Sequence, residues 1–457
     1  MAQSDTAKNL IEQSDLSQVK LVDECASLKV YEATQTCEGH RKRQLIRVNI
    51  DIHNSFALQR EKDLLHYLNQ FDEDFPRFNE IRKQGFAYLT FFNYVGKKRL
   101  KHKVKKSGPL SLKKAKRLLS NLITTLEHAH NVGFVHTQLT PENIIVGKSR
   151  FYLVGWNNAI PSLSSFETEL LLGDQQYCPP ERLNGEYGEA GDIYNLGCTL
   201  YFALTGKHIY RLNKVKHLFD QLYAHAFHTP RKLNALPIFW RQLIVWMTQK
   251  DPQKRPGLAE LKQWLVDEAV PQTIRAQTFQ PDKKFPEDSL TALADSHFLY
   301  ALFKKACLYE SSGDTERAFN LYESCAFRGY TRAENNLGLM YEKGAVIHQS
   351  YLKAMNMYHH AFNKGNPYAA YNLAHLFENG LGMEQNLLQA FKLYQFSAKR
   401  GHLAAQNKLG ELYLAGKGVD QDVVQARFWF GMAAHYGNLA ARLNIKKFLK
   451  GSEALDR

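Results

Sequence analysis

At 457 residues, with 44% hydrophobic and 23% charged side chains, the chain is long enough for two or three cores, and its balance excludes a disordered or fibrous polypeptide. A formal net charge of +14 favours anionic partners, whether nucleic acid, lipid headgroup or acidic protein. No apolar run approaches the roughly 20 residues that cross a bilayer, and residues 1–18 are polar and lack the apolar core of a signal peptide, so a soluble cytoplasmic protein without a transmembrane segment is expected.

The six cysteines, Cys25, Cys37, Cys178, Cys198, Cys307 and Cys325, are scattered, with no CxxC pair and no histidines at ligand spacing. Neither a zinc site nor a disulfide framework is expected, and reduced, mostly buried thiols are the simplest reading.

From Lys20 to Val95 the runs KLVDECASLKVYEA, RQLIRVNI and GFAYLTFFNYV are rich in β-branched and aromatic residues and predict strands. They enclose FALQREKDLLHYLNQF, in which Phe56, Leu64, Leu65 and Leu68 fall near helical spacing and predict a helix on a small sheet. LKKAKRLLSNLITTLEHAHNVG then predicts a helix that starts after Gly108-Pro109 and stops at Asn131 to Gly133. A mostly helical region follows to about Val270, after which Pro271, Pro281 and Pro286 and a loss of periodicity mark a linker.

Beyond the linker the sequence repeats. Gly329, Gly365, Gly401 and Gly437 are spaced by 36 residues, as are Ala318, Ala354, Ala390 and Ala426, and Leu337, Leu373 and Leu409. Each unit predicts two short helices ended by glycines, with Leu337, Tyr341, Tyr358, Leu373, Phe377, Tyr394, Leu409 and Tyr413 filling the space between them. The pattern resembles the Sel-one-like family, relatives of the tetratricopeptide repeats, over Leu299 to Leu449, as three in-phase copies plus a shortened first unit at Cys307 to Gly329. The resemblance implies an extended concave surface for binding peptides or folded proteins.

Between Leu112 and Leu265 a second resemblance stands out. HTQLTPENIIV is similar to the catalytic-loop motif H-R-D-L-K-P-E-N-I-L of protein kinases, FYLVGWN stands where they carry the metal-binding D-F-G, and YCPPERL resembles their A-P-E segment. DIYNLGCTLYFALTG from Asp192 resembles the helix that anchors the catalytic loop, and DPQKRP resembles the late motif whose arginine pairs with the A-P-E glutamate, here Arg255 with Glu181. Upstream, Glu61 in QREKDLL takes the place of the helix glutamate, Arg47 that of the strand lysine, Phe92 the gatekeeper position, and FFNYVGKKRLKHKVKKSGPLS that of the hinge. The expected architecture is therefore an α+β bilobal protein-kinase-like fold followed by an all-α solenoid of Sel-one-like repeats. Its expected divisions are a polar extension at 1–18, a kinase-like domain at 19–268, a linker at 269–297 and the repeat array at 298–450.

What the resemblance carries for architecture is present, and what it carries for chemistry is largely absent. Phosphoryl transfer needs a glycine-rich loop, a strand lysine, a metal-binding aspartate and asparagine, and a catalytic aspartate. Of these the chain retains Asn143; Gln138 replaces the catalytic aspartate, Gly155, Trp156 and Asn157 replace D-F-G, and Asp23, Cys25 and Leu28 fall at the loop-glycine places. His136 and Asn143 are expected to shape the loop by hydrogen bonding, and Asp174 is the acidic candidate in the following segment. Losing one electrostatic stabiliser costs about 10²–10³ in rate, so three losses amount to roughly 10⁶ even if they overlap. The resemblance thus implies a non-catalytic pseudokinase, a signalling scaffold with no required cofactor. A divergent ATP-dependent kinase or nucleotidyl transferase, with or without magnesium, using Arg47, Glu61 and Asn143, is the second expectation.

A basic stretch follows the hinge: Lys97, Lys98, Arg99, Lys101, Lys103, Lys105 and Lys106, continued by Lys113, Lys114, Lys116 and Arg117. A solvated basic face is the plain reading. The functional reading is docking of an acidic or phosphorylated protein; nucleic acid or an anionic membrane surface is the alternative, with no base-reading motif beside the lysines.

Overall fold

The computed structural model describes residues 16–25, 28–37, 40–49, 61, 62, 64–66, 78–84, 87–93, 96, 98–156, 159–161, 174–210, 217–230, 233–275, 285–344, 346, 348–435 and 438–445. The chain divides into two compact units, 1–293 and 294–457.

The first unit opens with an antiparallel five-stranded sheet in the order β1-β2-β3-β5-β4, made by β1 (Leu16–Cys25), β2 (Leu28–Cys37), β3 (His40–Asn49), β4 (Phe78–Gln84) and β5 (Ala87–Asn93). Strand alternation puts Tyr31, Ala33, Ile46, Val48, Leu89 and Phe91 into one buried cluster. Residues 61, 62 and 64–66 are helical, and Leu64 and Leu65 join the core of the helical lobe. Phe56 and Leu68, expected on the same helix, lie outside the described residues.

The helical lobe starts with α1 (Leu100–Ser107) and α2 (Leu112–Asn131). Ala115, Leu118, Leu119, Leu122, Ile123, Leu126 and Ala129 recur at helical spacing and are all buried, so one stripe of α2 faces the core. Two short hairpin elements follow, β6 (Phe134–Val135) with β9 (Ile160–Pro161), and β7 (Ile144–Val146) with β8 (Phe151–Leu153). The central helix α3 (Glu189–Thr205) is buried on every side from Gly191 to Leu204. Its Gly197 lies where a methyl group would sit 2.9 Å from Met247 and Thr248, which lets α3 approach that later segment closely. Then come α4 (Leu218–Phe227), α5 (Ile238–Met247) and α6 (Leu258–Asp267), the last two joined by edge-on packing of Trp240 and Trp264 at 5.1 Å.

The stretch read as linker contains two short helices, α7 (Gln272–Arg275) and α8 (Ser289–Asp295). Val270 and Ile274 enter the lobe's core, the Phe285 ring packs on His228 at 4.6 Å, and Ser289 donates to Asp220 at 2.5 Å. Prolines ended the helical periodicity there, but isolated apolar residues between them still found the core.

Among the described residues the second unit holds four helix pairs, each helix 13 residues long, followed by helical residues at 439–445: α9 (Leu299–Ser311) and α10 (Thr315–Phe327), α11 (Thr331–Lys343) and α12 (Tyr351–Asn363), α13 (Pro367–Asn379) and α14 (Leu387–Lys399), α15 (Leu403–Ala415) and α16 (Val423–His435). The first pair has full-length helices; only its loop, 312–314, is shorter than the loops at 344–350, 380–386 and 416–422. Leu337, Tyr358, Leu373, Tyr394 and Leu409 are buried, while Tyr341, Phe377 and Tyr413 are partly buried. Gly437 lies outside the described residues.

A polar contact repeats inside the pairs. Tyr322, Tyr358 and Tyr394 donate their hydroxyls to Glu310, Glu342 and Glu378 at 2.7–2.8 Å. In the fourth pair Phe430 and Leu414 occupy both positions, so neither a hydroxyl nor a carboxylate is left without its partner. Gly338 and Gly410 make room for the rings: a methyl group would sit 2.5 Å from Tyr358 and 2.8 Å from Phe430.

Candidate functional site

The site begins at Asp192 near the start of α3. Its buried carboxylate accepts from the main-chain N–H of His136 at 2.7 Å and of Thr137 at 2.9 Å, and lies 3.0 Å from His130 Nε2. Burial works against its charge, yet the hydrogen bond with His130 and the neighbouring imidazoles hold the carboxyl below its ordinary range. Asp192 thereby clamps the loop between β6 and β7, and Thr137 is held at a φ of 65°. Arg182, one residue past Glu181, reaches back to donate to the Thr137 carbonyl and covers the Tyr187 ring.

His136 is fully buried, stands edge-on to Trp156 at 4.6 Å, and has its Nε2 at 3.1 Å from the Val154 carbonyl. Trp156 is likewise buried and donates its indole N–H to Leu153 O at 3.1 Å. The pair belongs to the packing between loop and core, a framing role that sequence position alone did not assign to Trp156.

Burial pushes the His136 imidazole down to about 4 from 6.5, so it is neutral at physiological pH. Between these values the unfolded chain binds the extra proton, and stability is lost as pH falls from 6.5 toward 4, by about 3 kcal/mol from this group. His208 and His225, both lowered chiefly by burial, act in the same direction. The urea midpoint at pH 4.5 is expected to fall well below that at pH 7, with a shallower dependence in His136→Gln; equal midpoints would contradict the assignment.

Asn143 is used internally. Its side-chain N–H donates to Gln138 O at 2.9 Å, and its main-chain carbonyl accepts from Val154 N at 2.8 Å. Gly155, at a φ of +87°, lies under that amide: a Cβ there would meet Asn143 Oδ1 at 2.9 Å and Cγ at 3.0 Å. The metal-binding carboxylate is thus missing, and a side chain at 155 would require the Asn143 amide to shift. Gln138 supplies no carboxylate either, so the residues present do not fit the magnesium ion that a kinase fold implies. Asp174 caps the following turn by accepting from Gln176 N at 3.0 Å. Asn157 lies outside the described residues, as do the side chains of Asp23, Cys25 and Leu28.

In the sheet lobe Arg47 and Glu61 meet as a buried, two-pronged ion pair, one prong at 3.1 Å. Arg47 also lies 3.2 Å from Thr90 Oγ1 and 5.0 Å over the Phe92 ring, so its fork is held on three sides. Across the helical lobe Arg255 grips Glu181 through two bonds of 2.6 and 2.8 Å and donates further to Gln249 O, Ala190 O and Lys250 O.

The basic stretch is partly spent. Arg99 donates to Glu142 O at 2.6 Å, Lys101 pairs with the Glu142 carboxylate at 2.5 Å, Lys103 donates to Ser107 at 3.2 Å, and Lys116 pairs with Glu268 at 2.9 Å. Lys98, Lys105, Lys106, Lys113 and Lys114 are exposed, and Lys97 lies outside the described residues. Leu100 and Val104 anchor α1 from beneath.

Comparisons with known proteins place the chain in a family. The protein kinase domain model matches residues 29–265, more than half of the chain, and the Sel1 repeat model matches 331–366, 367–402 and 403–438. The chain belongs to the protein kinase family and carries three matched Sel1 repeats after its kinase domain. The helix pair α9–α10 lies outside those matches but has the same construction. The probable serine/threonine-protein kinase PkwA of Thermomonospora curvata is 29% identical over 171 residues, covering 37% of this chain and 22% of that protein. Serine/threonine-protein kinase PrkC of Bacillus subtilis (strain 168) is 29% identical over 186 residues, covering 40% and 29%. Sperm motility kinase 2B of Mus musculus is 28% identical over 184 residues, covering 40% and 37%. The chain thus spans well under half the length of these curated relatives. The solved structure of the Cydia pomonella granulovirus kinase PK-1 aligns with a TM-score of 0.48 at 17% identity, over 57% of this chain and 97% of that one.

Proposed function

We propose that the kinase-family unit is non-catalytic and serves, with the repeat array, as a scaffold that binds partner proteins. The observation that carries this reading is that neither Gln138 nor Gly155 offers a carboxylate, while the Asn143 amide is tied to the backbone carbonyl of Gln138. Sel1 repeats generally mediate protein–protein interaction, which supports a binding role for the second unit. The framework contacts, Asp192 on the loop, Glu181 with Arg255 and Arg47 with Glu61, keep the lobes ordered without supplying a general base. No helix among the described residues is long and apolar enough to cross a membrane. The buried free thiols Cys178, Cys198 and Cys325 suit a reducing cytoplasmic setting, which belongs to the same proposal.

A second reading, a divergent phosphoryl or nucleotidyl transferase using Arg47, Glu61 and Asn143, is favoured by the relatives, which are named as kinases. The two separate in a transfer assay with labelled ATP, magnesium or manganese, and a general acceptor protein. The scaffold reading expects no transfer above that of heat-denatured protein. Metal-dependent transfer that disappears in Asn143→Ala would replace it with the second reading.

A further inference from the structure

One face of the helical lobe collects positive charge from three separate segments. Val146 N donates to Lys98 O at 2.8 Å, which ties the segment before α1 to β7, and the β7–β8 turn closes with Gly147 N on Arg150 O at 2.9 Å. Lys148 is exposed at the tip of that turn. From β8, Phe151 lies beneath Arg117 of α2, at 5.8 Å from the guanidinium, and its N–H donates to Asn121 at 3.1 Å. Lys113 and Lys114 stand four and three residues before Arg117, on the same side of the helix. Lys98, Lys148, Arg117, Lys113 and Lys114 are therefore neighbours in the fold, although 50 residues separate the first two in sequence.

Two acids beside these cations are already committed, Glu142 to Lys101 and Glu268 to Lys116. The first turn of α2 carries no acid, its Ser111 makes no side-chain cap, and its two lysines oppose the positive end of the helix. Like charges at this spacing and this helix end cost stability in the free protein, a cost that a bound anionic partner relieves.

We propose that this face docks an acidic protein segment, rich in aspartate and glutamate, deepening the scaffold reading on which it rests. Leu112, 41% exposed in the first turn of α2, offers an apolar contact of the kind a peptide side chain uses. The aromatic ring on this face, Phe151, is buried beneath Arg117 and gives no platform for stacking a base. Charge complementarity with an apolar contact, and without base-reading or stacking groups among the described residues of this face, selects protein over nucleic acid.

The test is fluorescence anisotropy with the full chain and a labelled synthetic peptide of alternating Glu, Asp and Leu, at low and physiological salt. The wild type is expected to bind it in a salt-sensitive manner. Lys113→Glu/Lys114→Glu/Lys148→Glu is expected to weaken binding by about tenfold or more, and the control Lys343→Glu/Lys399→Glu, on the repeat array, to leave it unchanged. No binding by the wild type, equal loss in the control, or no loss in the triple variant would overturn the proposal. So would about tenfold tighter binding of an oligonucleotide of the same charge, which would assign the face to nucleic acid. Far-ultraviolet circular dichroism of both variants separates lost docking from lost folding. Failure here leaves the non-catalytic reading standing, because that reading is decided by the transfer assay.

Discussion

Arg255→Ala is expected to destabilise the kinase unit by about 3–5 kcal/mol, lowering its melting temperature by roughly 10 °C. Arg255 and Glu181 are both buried, and Arg255 serves five acceptor atoms: the two carboxylate oxygens and the carbonyls of residues 190, 249 and 250. Removing the guanidinium leaves a buried carboxylate and three carbonyls to find new partners. Arg255→Lys should recover only part of the loss, because an ammonium cannot serve Glu181 through both oxygens and reach the carbonyls as well. A calorimetric transition of Arg255→Ala within about 2 °C of wild type would show that the pair does not hold the lobe together.

The second large effect concerns restoration. Returning carboxylates to the two degenerate positions, Gly155→Asp with Gln138→Asp, is expected to destabilise the unit by about 2–3 kcal/mol and to yield no metal-dependent transfer. The left-handed φ of +87° disfavours any side chain at 155, and the new Cβ would meet the Asn143 amide at 2.9–3.2 Å. Asn143 would have to swing away, giving up its bond to Gln138 O. Unfolding by urea, with the transfer assay in parallel, reads both halves. A double variant as stable as wild type and active with magnesium would mean that the site lost its chemistry by side-chain identity alone.

These two cases mark what sequence could and could not convey. Glu181 with Arg255, Arg47 with Glu61, and the anchoring role of Asp192 were legible because each sits in a spaced motif whose partner is fixed by the fold. The repeats were legible because their period of 36 residues is their geometry. Arg182 was not, since nothing in the order of residues says that its guanidinium turns back to the Thr137 carbonyl. Nor was the close approach of the Asn143 amide to Gly155, which depends on a backbone φ and an amide orientation. The first repeat looked short because its loop had lost residues, while both of its helices are full length. The basic stretch was visible as composition. Its division into spent and exposed cations, and its extension to Lys148, required the β7–β8 turn to be placed beside Lys98.

The central claim, that the kinase unit has given up the nucleotide-and-metal site and kept the frame, is tested most directly by thermal shift of the pure chain with millimolar ATP, with and without magnesium or manganese. A ligand that binds only the folded state stabilises it by RT ln(1 + [L]/Kd), about 2.7 kcal/mol at a hundredfold excess over Kd. The account predicts no metal-dependent rise in melting temperature. A rise of several degrees that requires the metal and is lost in Asn143→Ala would contradict it.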